Sequence, residues 1–252
     1  MDKVILITGA TSGIGEASAH IFASHGYKLI LTGRRKERLT NLKIELEKKY
    51  SVQACDLCFD VCNADEVKKA LDSIPDGFKP IDILLNNAGL AVGMSSIHNG
   101  EIDDWDKMID TNIKGLLYVS RIISSMMVEQ GHGHIINLAS LAGKEAYPNG
   151  NVYCATKHAV DALSRCMRID LLPYGIRVTN IAPGMVETEF SVVRFKGDEE
   201  RAKQAYKGIT PLTGKDIAEI IYYAAAAPAN VNINDISITP LYQAMTRDAI
   251  RK

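Results

Sequence analysis

Short runs of β-branched and other apolar residues alternate with longer amphipathic stretches along nearly the whole chain. This alternation is typical of βαβ units around a parallel sheet, because a helical crossover must separate two parallel strands. We predict strands near residues 3–8, 28–32, 54–59, 81–86, 133–139, 176–182 and 233–239. We predict helices at about 13–25, 35–49, 63–73, 103–130 (in two pieces), 152–172 and 214–226. Seven strands in one series predict a single-domain, doubly wound α/β fold over residues 1–252.

The composition indicates an ordinary globular domain. Of the 252 residues, 46% are hydrophobic and 23% are charged, and 29 Lys and Arg nearly balance 30 Asp and Glu. Because the chain has no overall basic field, we expect neither nucleic acid nor a membrane as a partner. Its first apolar run, residues 4–7, is too short for a secretory leader, so we expect none. The sequence has no apolar stretch long enough to span a bilayer, and its number of cysteines, five, is odd. These features predict a cytoplasmic protein with reduced thiols.

One late segment departs from the alternation. Residues 188–211 are rich in Lys, Arg and Glu. A polar segment outside the regular pattern suits a mobile element better than a core element. We predict that residues 188–211 form a substrate lid.

A glycine-rich stretch links the first predicted strand to the first predicted helix. Residues 8–15 read Thr-Gly-Ala-Thr-Ser-Gly-Ile-Gly, in which the glycine spacing is G-x-x-x-G-x-G. Glycines let the backbone turn tightly and approach a pyrophosphate, and the helix N-terminus offers free N–H groups. The stretch therefore predicts a dinucleotide site. With the seven predicted strands, it predicts a Rossmann fold with a seven-stranded parallel sheet flanked by helices. Its candidate cofactor-binding residues are Gly9, Thr11, Ser12, Gly13, Ile14 and Gly15.

The end of the second predicted strand carries two arginines. Proteins that bind NAD usually place an Asp or Glu there to hold the ribose hydroxyls, but this chain has Arg34 and Arg35. Guanidinium groups are suited to capture a 2′-phosphate. We therefore predict NADP as the cofactor; the alternative is that both arginines are solvated charges at the start of a helix.

Tyr153 and Lys157 lie four residues apart on a predicted helix and therefore share one face. An ammonium near a phenol favours the phenolate, so we expect Lys157 to lower the pKa of Tyr153 toward the working pH of a general acid/base. Ser140 ends the fifth predicted strand, at the edge where ligands bind in open α/β sheets, and its hydroxyl can hold a substrate oxygen. The structural alternative for Ser140 is a capping role.

These motifs together resemble the short-chain dehydrogenase/reductase family over essentially the whole chain. They are the glycine loop, Asn86-Asn87-Ala88-Gly89, Asn112, Ser140, Tyr153-x-x-x-Lys157 and Pro183-Gly184. The resemblance implies a catalytic set in which Tyr153 exchanges a proton with the substrate oxygen and Ser140 orients that oxygen. It implies that Lys157 binds the nicotinamide ribose and that Asn112 holds a water. It further implies cofactor contacts from Asp60, Val61, Asn87, Ala88, Gly89, Pro183, Gly184, Val186 and Thr188, besides Tyr153 and Lys157.

Longer motifs resemble one branch of that family, the bacterial NADP-dependent 3-hydroxy acid dehydrogenases. They include Met108-Ile109-Asp110-Thr111-Asn112 and Thr188-Glu189-Phe190-Ser191. Members of this branch oxidise serine, L-allo-threonine and related 3-hydroxy acids such as 3-hydroxypropionate, or reduce the corresponding 3-oxo acids, and they are usually homotetramers. The resemblance implies this activity and this assembly for the present chain.

Substrate recognition depends on a cation in the predicted site. A 3-hydroxy acid carries a carboxylate, and our candidate partner is Arg194, with Lys144 and Lys196 as alternatives. A short-chain reductase for a sugar, steroid or acyl thioester, and a non-catalytic NADP sensor, remain rival interpretations. We predict no metal site, because Cys55 and Cys58 would point to opposite faces of the third strand.

Overall fold

The fold is a parallel sheet with helices on both faces. The structure, a computed structural model, describes residues 3–252. Within them the strands are β1 (Val4–Ile7), β2 (Lys28–Gly33), β3 (Ala54–Cys58), β4 (Ile83–Asn86), β5 (Gly133–Leu138), β6 (Ile176–Pro183), β7 (Val186–Glu187), β8 (Leu212–Thr213) and β9 (Asp235–Ile238). The helices are α1 (Gly13–Ser24), α2 (Lys36–Tyr50), α3 (Ala64–Asp72), α4 (Ile102–Ile109), α5 (Leu116–Gln130), α6 (Asn151–Leu171), α7 (Phe190–Arg194), α8 (Glu199–Tyr206) and α9 (Gly214–Ala226).

Seven strands form one sheet in the order β3-β2-β1-β4-β5-β6-β9, and every neighbouring pair is parallel. The direction of winding reverses between β1 and β4, which opens a crevice at the carboxyl edge of the sheet. The predicted doubly wound Rossmann fold with a seven-stranded parallel sheet is confirmed. Each predicted strand of this sheet lies within two residues of the observed bounds.

Both faces of the sheet are buried, which explains the nearly continuous apolar runs of its strands. Ile5 and Ile7 face a core shared with Phe22 and Ile221 on one side. Val4 and Leu6, which alternate with them along β1, face the opposite core. The sheet is therefore held between two helical layers, and its carboxyl edge is a rigid platform.

The predicted helices are also found, with bounds that differ by at most one residue from those observed. Asn63 accepts hydrogen bonds from the backbone N–H groups of Asp65 and Glu66 at the start of α3. Thr213 and Asp216 form a reciprocal capping box at the start of α9. The two predicted pieces of 103–130 are α4 and α5, and a π-helical turn over Asp110–Gly115 joins them.

The segment 188–211 contains α7 and α8, and the sequence pattern did not resolve the short strands that flank it. Val186 pairs with Leu212 and Glu187 with Thr213, so β7 and β8 bring the two ends of the segment together. The segment thus projects from the carboxyl edge of the sheet as a unit with a narrow base. Among residues 3–252, no helix combines the length and the apolar character needed to cross a bilayer.

Candidate active site

The glycine loop connects β1 to α1 and depends on close backbone approach. Gly9 and Gly13 adopt positive φ values of 65° and 56°, which L side chains rarely take. A Cβ on Gly15 would lie 2.3 Å from the Gly9 carbonyl oxygen. Gly15 therefore lets α1 begin directly beneath the loop, so that the helix N-terminus faces the crevice.

The side chain of Thr8 joins this loop to the end of β4. Its Oγ1 accepts hydrogen bonds from the backbone N–H groups of Asn87, at 3.0 Å, and Ala88, at 2.9 Å. The Asn87 side chain donates in turn to the carbonyl oxygens of Thr8 and Gly9, at 2.9 and 3.0 Å. The motifs at residues 8–15 and 86–89 consequently form one wall.

A cavity of about 300 Å³ lies against this wall. Most of the predicted cofactor-binding residues line it: Gly9, Thr11, Ser12, Gly13, Ile14, Arg34, Arg35, Asp60, Val61, Asn87, Ala88, Gly89 and Thr188. Gly15 does not line the cavity and acts by packing, as described above. The cradle of backbone groups at a helix N-terminus has the form that a pyrophosphate requires.

The two arginines at the end of β2 differ in their surroundings. Arg34 is exposed, and its Nη1 lies 3.6 Å from an Asp60 carboxylate oxygen. Arg35 donates to Thr11 Oγ1 from Nε at 3.0 Å and to Ser12 Oγ from Nη2 at 2.8 Å. Its Nη1 donates to Glu189 at 2.8 Å. Most Arg35 donors are thus already paired within the chain, so Arg34 is the more available guanidinium.

A second cavity, of about 470 Å³, adjoins the first. Both are lined by Ile14, Asn87, Gly89, Leu138, Thr188 and Phe190. The second cavity is also lined by the predicted residues Ser140, Tyr153, Lys157, Pro183, Gly184, Val186 and Arg194. The structure therefore brings Ser140, Tyr153 and Lys157 to the end of the predicted dinucleotide site. Asn112, the fourth predicted catalytic residue, is not among the residues that line either cavity.

The buried side chains of Tyr153 and Lys157 both line the second cavity, as their spacing on α6 predicts. Lys157 Nζ lies 6.0 Å from the centroid of the Tyr153 ring and donates to the Leu138 carbonyl oxygen at 2.8 Å. Ser140 Oγ accepts from the Ala142 N–H at 3.1 Å, so its capping role is present beside its place in the cavity wall.

The prediction that the pKa of Tyr153 is lowered is wrong. Burial raises the pKa of Tyr153 above its usual value, and hydrogen bonding to Ser140 and the charge of Arg194 oppose this rise only in part. Burial also lowers the pKa of Lys157 to about 8. Desolvation is therefore the largest influence on the pKa of both groups.

Asn112 lies in the π-helical turn between α4 and α5, a type of irregularity that is frequent at functional sites. Its side-chain amide exchanges two hydrogen bonds, each of 2.8 Å, with the backbone of Leu90. Its Nδ2 also donates to Thr156 Oγ1 at 3.0 Å. The side chain therefore ties the loop after β4 to α6, and the water-holding role implied for Asn112 stays a prediction.

Arg194, at the end of α7, reaches the second cavity. Its guanidinium carbon lies 5.4 Å from the ring centroids of both Tyr147 and Tyr153, and its Nη2 donates to the Tyr147 hydroxyl at 2.6 Å. Within residues 3–252, the buried Arg194 Nε has no hydrogen-bond partner. A buried N–H donor without a partner costs free energy until an acceptor, such as a bound anion, completes it.

The two alternative cations are engaged elsewhere. Lys144 contacts the carboxylates of Asp161 and Asp235. Lys196 Nζ lies 2.7 Å from the buried Asp104 carboxylate. Neither Lys144 nor Lys196 lines the second cavity. Of the three cations considered, Arg194 is the one that the fold presents to it.

Sequence reasoning missed several residues of the site. Tyr147 and Phe190 line the second cavity, and the Phe190 and Tyr153 ring centroids are 5.7 Å apart. Glu189 lines the first cavity and also pairs with Arg38. No local spacing marks Tyr147, but Glu189 and Phe190 fall within a motif that carries the resemblance to the 3-hydroxy acid dehydrogenases.

Comparison with known proteins agrees with this geometry. The family described as short chain dehydrogenase matches residues 3–199. The chain is 47% identical over 241 residues to an NADP-dependent 3-hydroxy acid dehydrogenase of Salmonella typhi, covering 95% of this chain and 96% of that protein. It is 44% identical over 251 residues to sulfoacetaldehyde reductase 2 of Chromohalobacter salexigens, covering 99% of each.

A solved structure is similar over the same length. It is the closed form of a serine dehydrogenase complexed with NADP⁺, with a TM-score of 0.92 and 44% identity, covering 99% of each chain. Fold, motif order and sequence identity agree along nearly the whole chain. The chain therefore belongs to the short-chain dehydrogenase/reductase family.

Proposed function

We propose that this protein is an NADP-dependent oxidoreductase that transfers a hydride between the nicotinamide and the hydroxyl carbon of a small 3-hydroxy acid. Serine, L-allo-threonine and 3-hydroxypropionate are substrates of this type. The observation that carries the proposal is the half-buried Arg194 guanidinium next to the Tyr153 ring, whose buried Nε has no hydrogen-bond partner within residues 3–252. A cation in this place anchors a carboxylate at a short, defined distance from the proton-transfer group. The similar dehydrogenases described above support the same activity.

The proposed catalytic roles follow from the cavity walls. When bound, the nicotinamide supplies hydride-transfer chemistry. As the substrate carbon loses hydride, Tyr153 accepts the hydroxyl proton, and Ser140 holds the substrate oxygen in place. Lys157 contributes positive charge that favours the phenolate form of Tyr153. Asn112 holds the loop after β4 against α6 and so supports the position of Lys157.

The cofactor preference rests on Arg34 and Arg35. The end of β2 carries no acidic residue, and Arg34 is exposed at the rim of the first cavity. A 2′-phosphate would receive charge-assisted hydrogen bonds there, above all from the more available Arg34, whereas NAD has no 2′-phosphate to offer that guanidinium. The NADP named for the similar dehydrogenases supports this choice.

Further proposals concern the lid, the assembly and the compartment. Residues 188–211 serve as the lid, because α7 carries both Phe190 and Arg194 into the second cavity. A homotetramer is supported by the exposed apolar side chains of Leu117, Ile169 and Leu172. A cytoplasmic location is supported by five free cysteines.

Steady-state assays with NADP test the proposed activity. The panel contains serine, L-allo-threonine, 3-hydroxyisobutyrate and 3-hydroxypropionate, with 2-propanol as the alcohol without a carboxylate. Adding 2-hydroxyethanesulfonate tests the sulfonate chemistry suggested by the relative named as a sulfoacetaldehyde reductase. We expect turnover of the 3-hydroxy acids; equal efficiency with 2-propanol would overturn the proposal.

A further inference from the structure

The carboxylate of Glu189 bridges two arginines at the edge of the first cavity. Its Oε2 accepts from Arg35 Nη1 at 2.8 Å, and its Oε1 accepts from Arg38 Nη1 at 2.7 Å. These hydrogen bonds hold the pKa of Glu189 below its usual value, so the carboxylate is ionised at neutral pH. Glu189, Arg35 and Arg38 are called the clasp below.

The clasp joins two parts of the chain that are far apart in sequence. Besides the bond to Glu189, the Arg35 guanidinium donates hydrogen bonds to Thr11 and Ser12 in the glycine loop. Arg38 lies in the first turns of α2. Glu189 therefore connects the beginning of the lid to the loop and helix that form the phosphate end of the dinucleotide site.

The same residue sets the position of the helix that carries Arg194. Glu189 immediately precedes α7, whose first residue is Phe190 and whose last residue is Arg194. At the other end of α7, the Arg194 carbonyl oxygen accepts from the Gly93 N–H at 3.0 Å, and Lys196, two residues further on, pairs with Asp104. This five-residue helix is thus held at both ends, and the clasp is its attachment on the cofactor side.

The clasp and its neighbours Arg34 and Asp60 carry a net positive charge, which favours the binding of a further anion. Arg34, Arg35 and Arg38 carry three positive charges, while the Glu189 and Asp60 carboxylates that pair with them carry two negative charges. A 2′-phosphate would meet a remaining positive charge without displacing Glu189. The clasp and a bound phosphate are therefore compatible.

We propose that Glu189 and Arg38 are positioning residues that fasten the lid to the phosphate end of the cofactor site, so that substrate affinity and NADP affinity both depend on the clasp. This proposal rests on the proposed function, since it takes Arg194 as the substrate anchor and NADP as the cofactor. Neither Glu189 nor Arg38 has a place among the residues predicted from the sequence.

The test compares Glu189→Gln and Arg38→Gln with two matched controls. Glu187→Gln removes an exposed carboxylate two residues earlier, and Lys36→Gln removes an exposed cation two residues from Arg38. Three quantities are measured for each variant and for the double variant Arg38→Gln/Glu189→Gln. They are the rate of tryptic cleavage at the exposed Arg201 and Lys203 in the lid, the Kd for NADP by calorimetry, and KM and kcat for serine.

Exposed ion pairs contribute little individually, so we expect Glu189→Gln to raise KM about fivefold, with kcat within about twofold of wild type. We expect the NADP Kd to rise about threefold and tryptic cleavage to accelerate by a similar factor. Arg38→Gln should change the same three quantities in the same direction but less. Arg38→Lys, which keeps the positive charge, should have a KM close to that of wild type. The double variant should match Glu189→Gln, because both substitutions open one clasp. The controls should match wild type.

Two results would overturn the inference. Tighter NADP binding by Glu189→Gln would show that the carboxylate competes with the phosphate instead of positioning the lid. Unchanged KM and unchanged cleavage would show that the clasp does not hold α7. Failure of the proposed function looks different, because the wild-type protein would then lack NADP-dependent turnover of 3-hydroxy acids while the cleavage and calorimetric comparisons could still be made.

Discussion

The two ends of the site are built in different ways. The dinucleotide end consists mainly of backbone groups and short side chains, with Gly15 packed under the loop and Thr8 hydrogen-bonded to Asn87. The substrate end consists of long side chains, Tyr147, Tyr153 and Arg194, which come from separate segments. The backbone wall at the dinucleotide end comes from two short motifs, residues 8–15 and 86–89, whereas the side chains at the substrate end depend on how residues 188–211 pack. The dinucleotide end should therefore be sensitive to added volume and the substrate end to lost functional groups.

Tyr153→Phe should distinguish the two ends of the site most clearly, because it should affect turnover and leave NADP binding nearly unchanged. Removing the hydroxyl eliminates proton transfer, so we expect kcat to fall by about 10³-fold or more. The NADP Kd should stay within about twofold, because the phenyl ring retains its packing against Phe190. Single-turnover kinetics and calorimetry provide the two values. Residual activity above about a tenth of wild type would contradict the role of Tyr153.

Added volume at the dinucleotide end is tested by Gly15→Ala. Its methyl group would lie 2.3 Å from the Gly9 carbonyl oxygen and 2.5 Å from Asn87 Nδ2. We expect the NADP Kd to rise about 30-fold, which corresponds to about 2 kcal/mol of strain. Gly77→Ala is the matched control, because among residues 3–252 its methyl group would meet no atom within 4 Å apart from those of Gly77 and its two chain neighbours. Thermal unfolding of both variants shows whether Gly15→Ala still folds. If it folds and its NADP Kd is unchanged, the loop tolerates the added methyl group and the prediction is contradicted.

A lost functional group at the substrate end is tested by Arg194→Ala. Charge-assisted hydrogen bonds typically contribute about 1.5–3 kcal/mol, so we expect KM for serine to rise about 10- to 100-fold. Oxidation of 2-propanol should change far less, since this alcohol has no carboxylate to bind. An equal loss with both substrates would indicate that Arg194 acts through the packing of α7 and not through the substrate anion.

The smallest effect concerns the stability of the protein and the buried Lys157. Burial lowers the pKa of Lys157 to about 8 from an ordinary value of 10.5. Between these two pH values the unfolded chain binds one proton more than the folded chain, so the contribution of Lys157 to the unfolding free energy rises with pH. Relative to Lys157→Met, wild type should gain about 1 kcal/mol from pH 8 to 9. Urea unfolding at pH 7.5, 8.5 and 9.5 measures this; a difference that stays constant would contradict the shifted pKa.

Prediction from sequence succeeded where a pattern is local or periodic. The strands of the main sheet follow from apolar runs whose two faces are both buried, and the periodic pattern over 214–226 gives the bounds of α9. The strands β7 and β8 were missed, because two residues carry no readable period. Tyr147 was missed for a related reason, since its contact with Arg194 joins residues 47 positions apart.

The sequence alone determined the fold class, the place of the dinucleotide cradle and the shared helix face of Tyr153 and Lys157. Each depends on neighbours within a few residues along the chain. Only the tertiary structure decided which of three candidate cations faces the substrate cavity. Lys144 and Lys196 each pair with a carboxylate remote in sequence, whereas Arg194 has no carboxylate partner among residues 3–252 and lines the cavity. It also decided that burial raises the pKa of Tyr153, because desolvation depends on everything that packs around the group and not on its spacing from one cation.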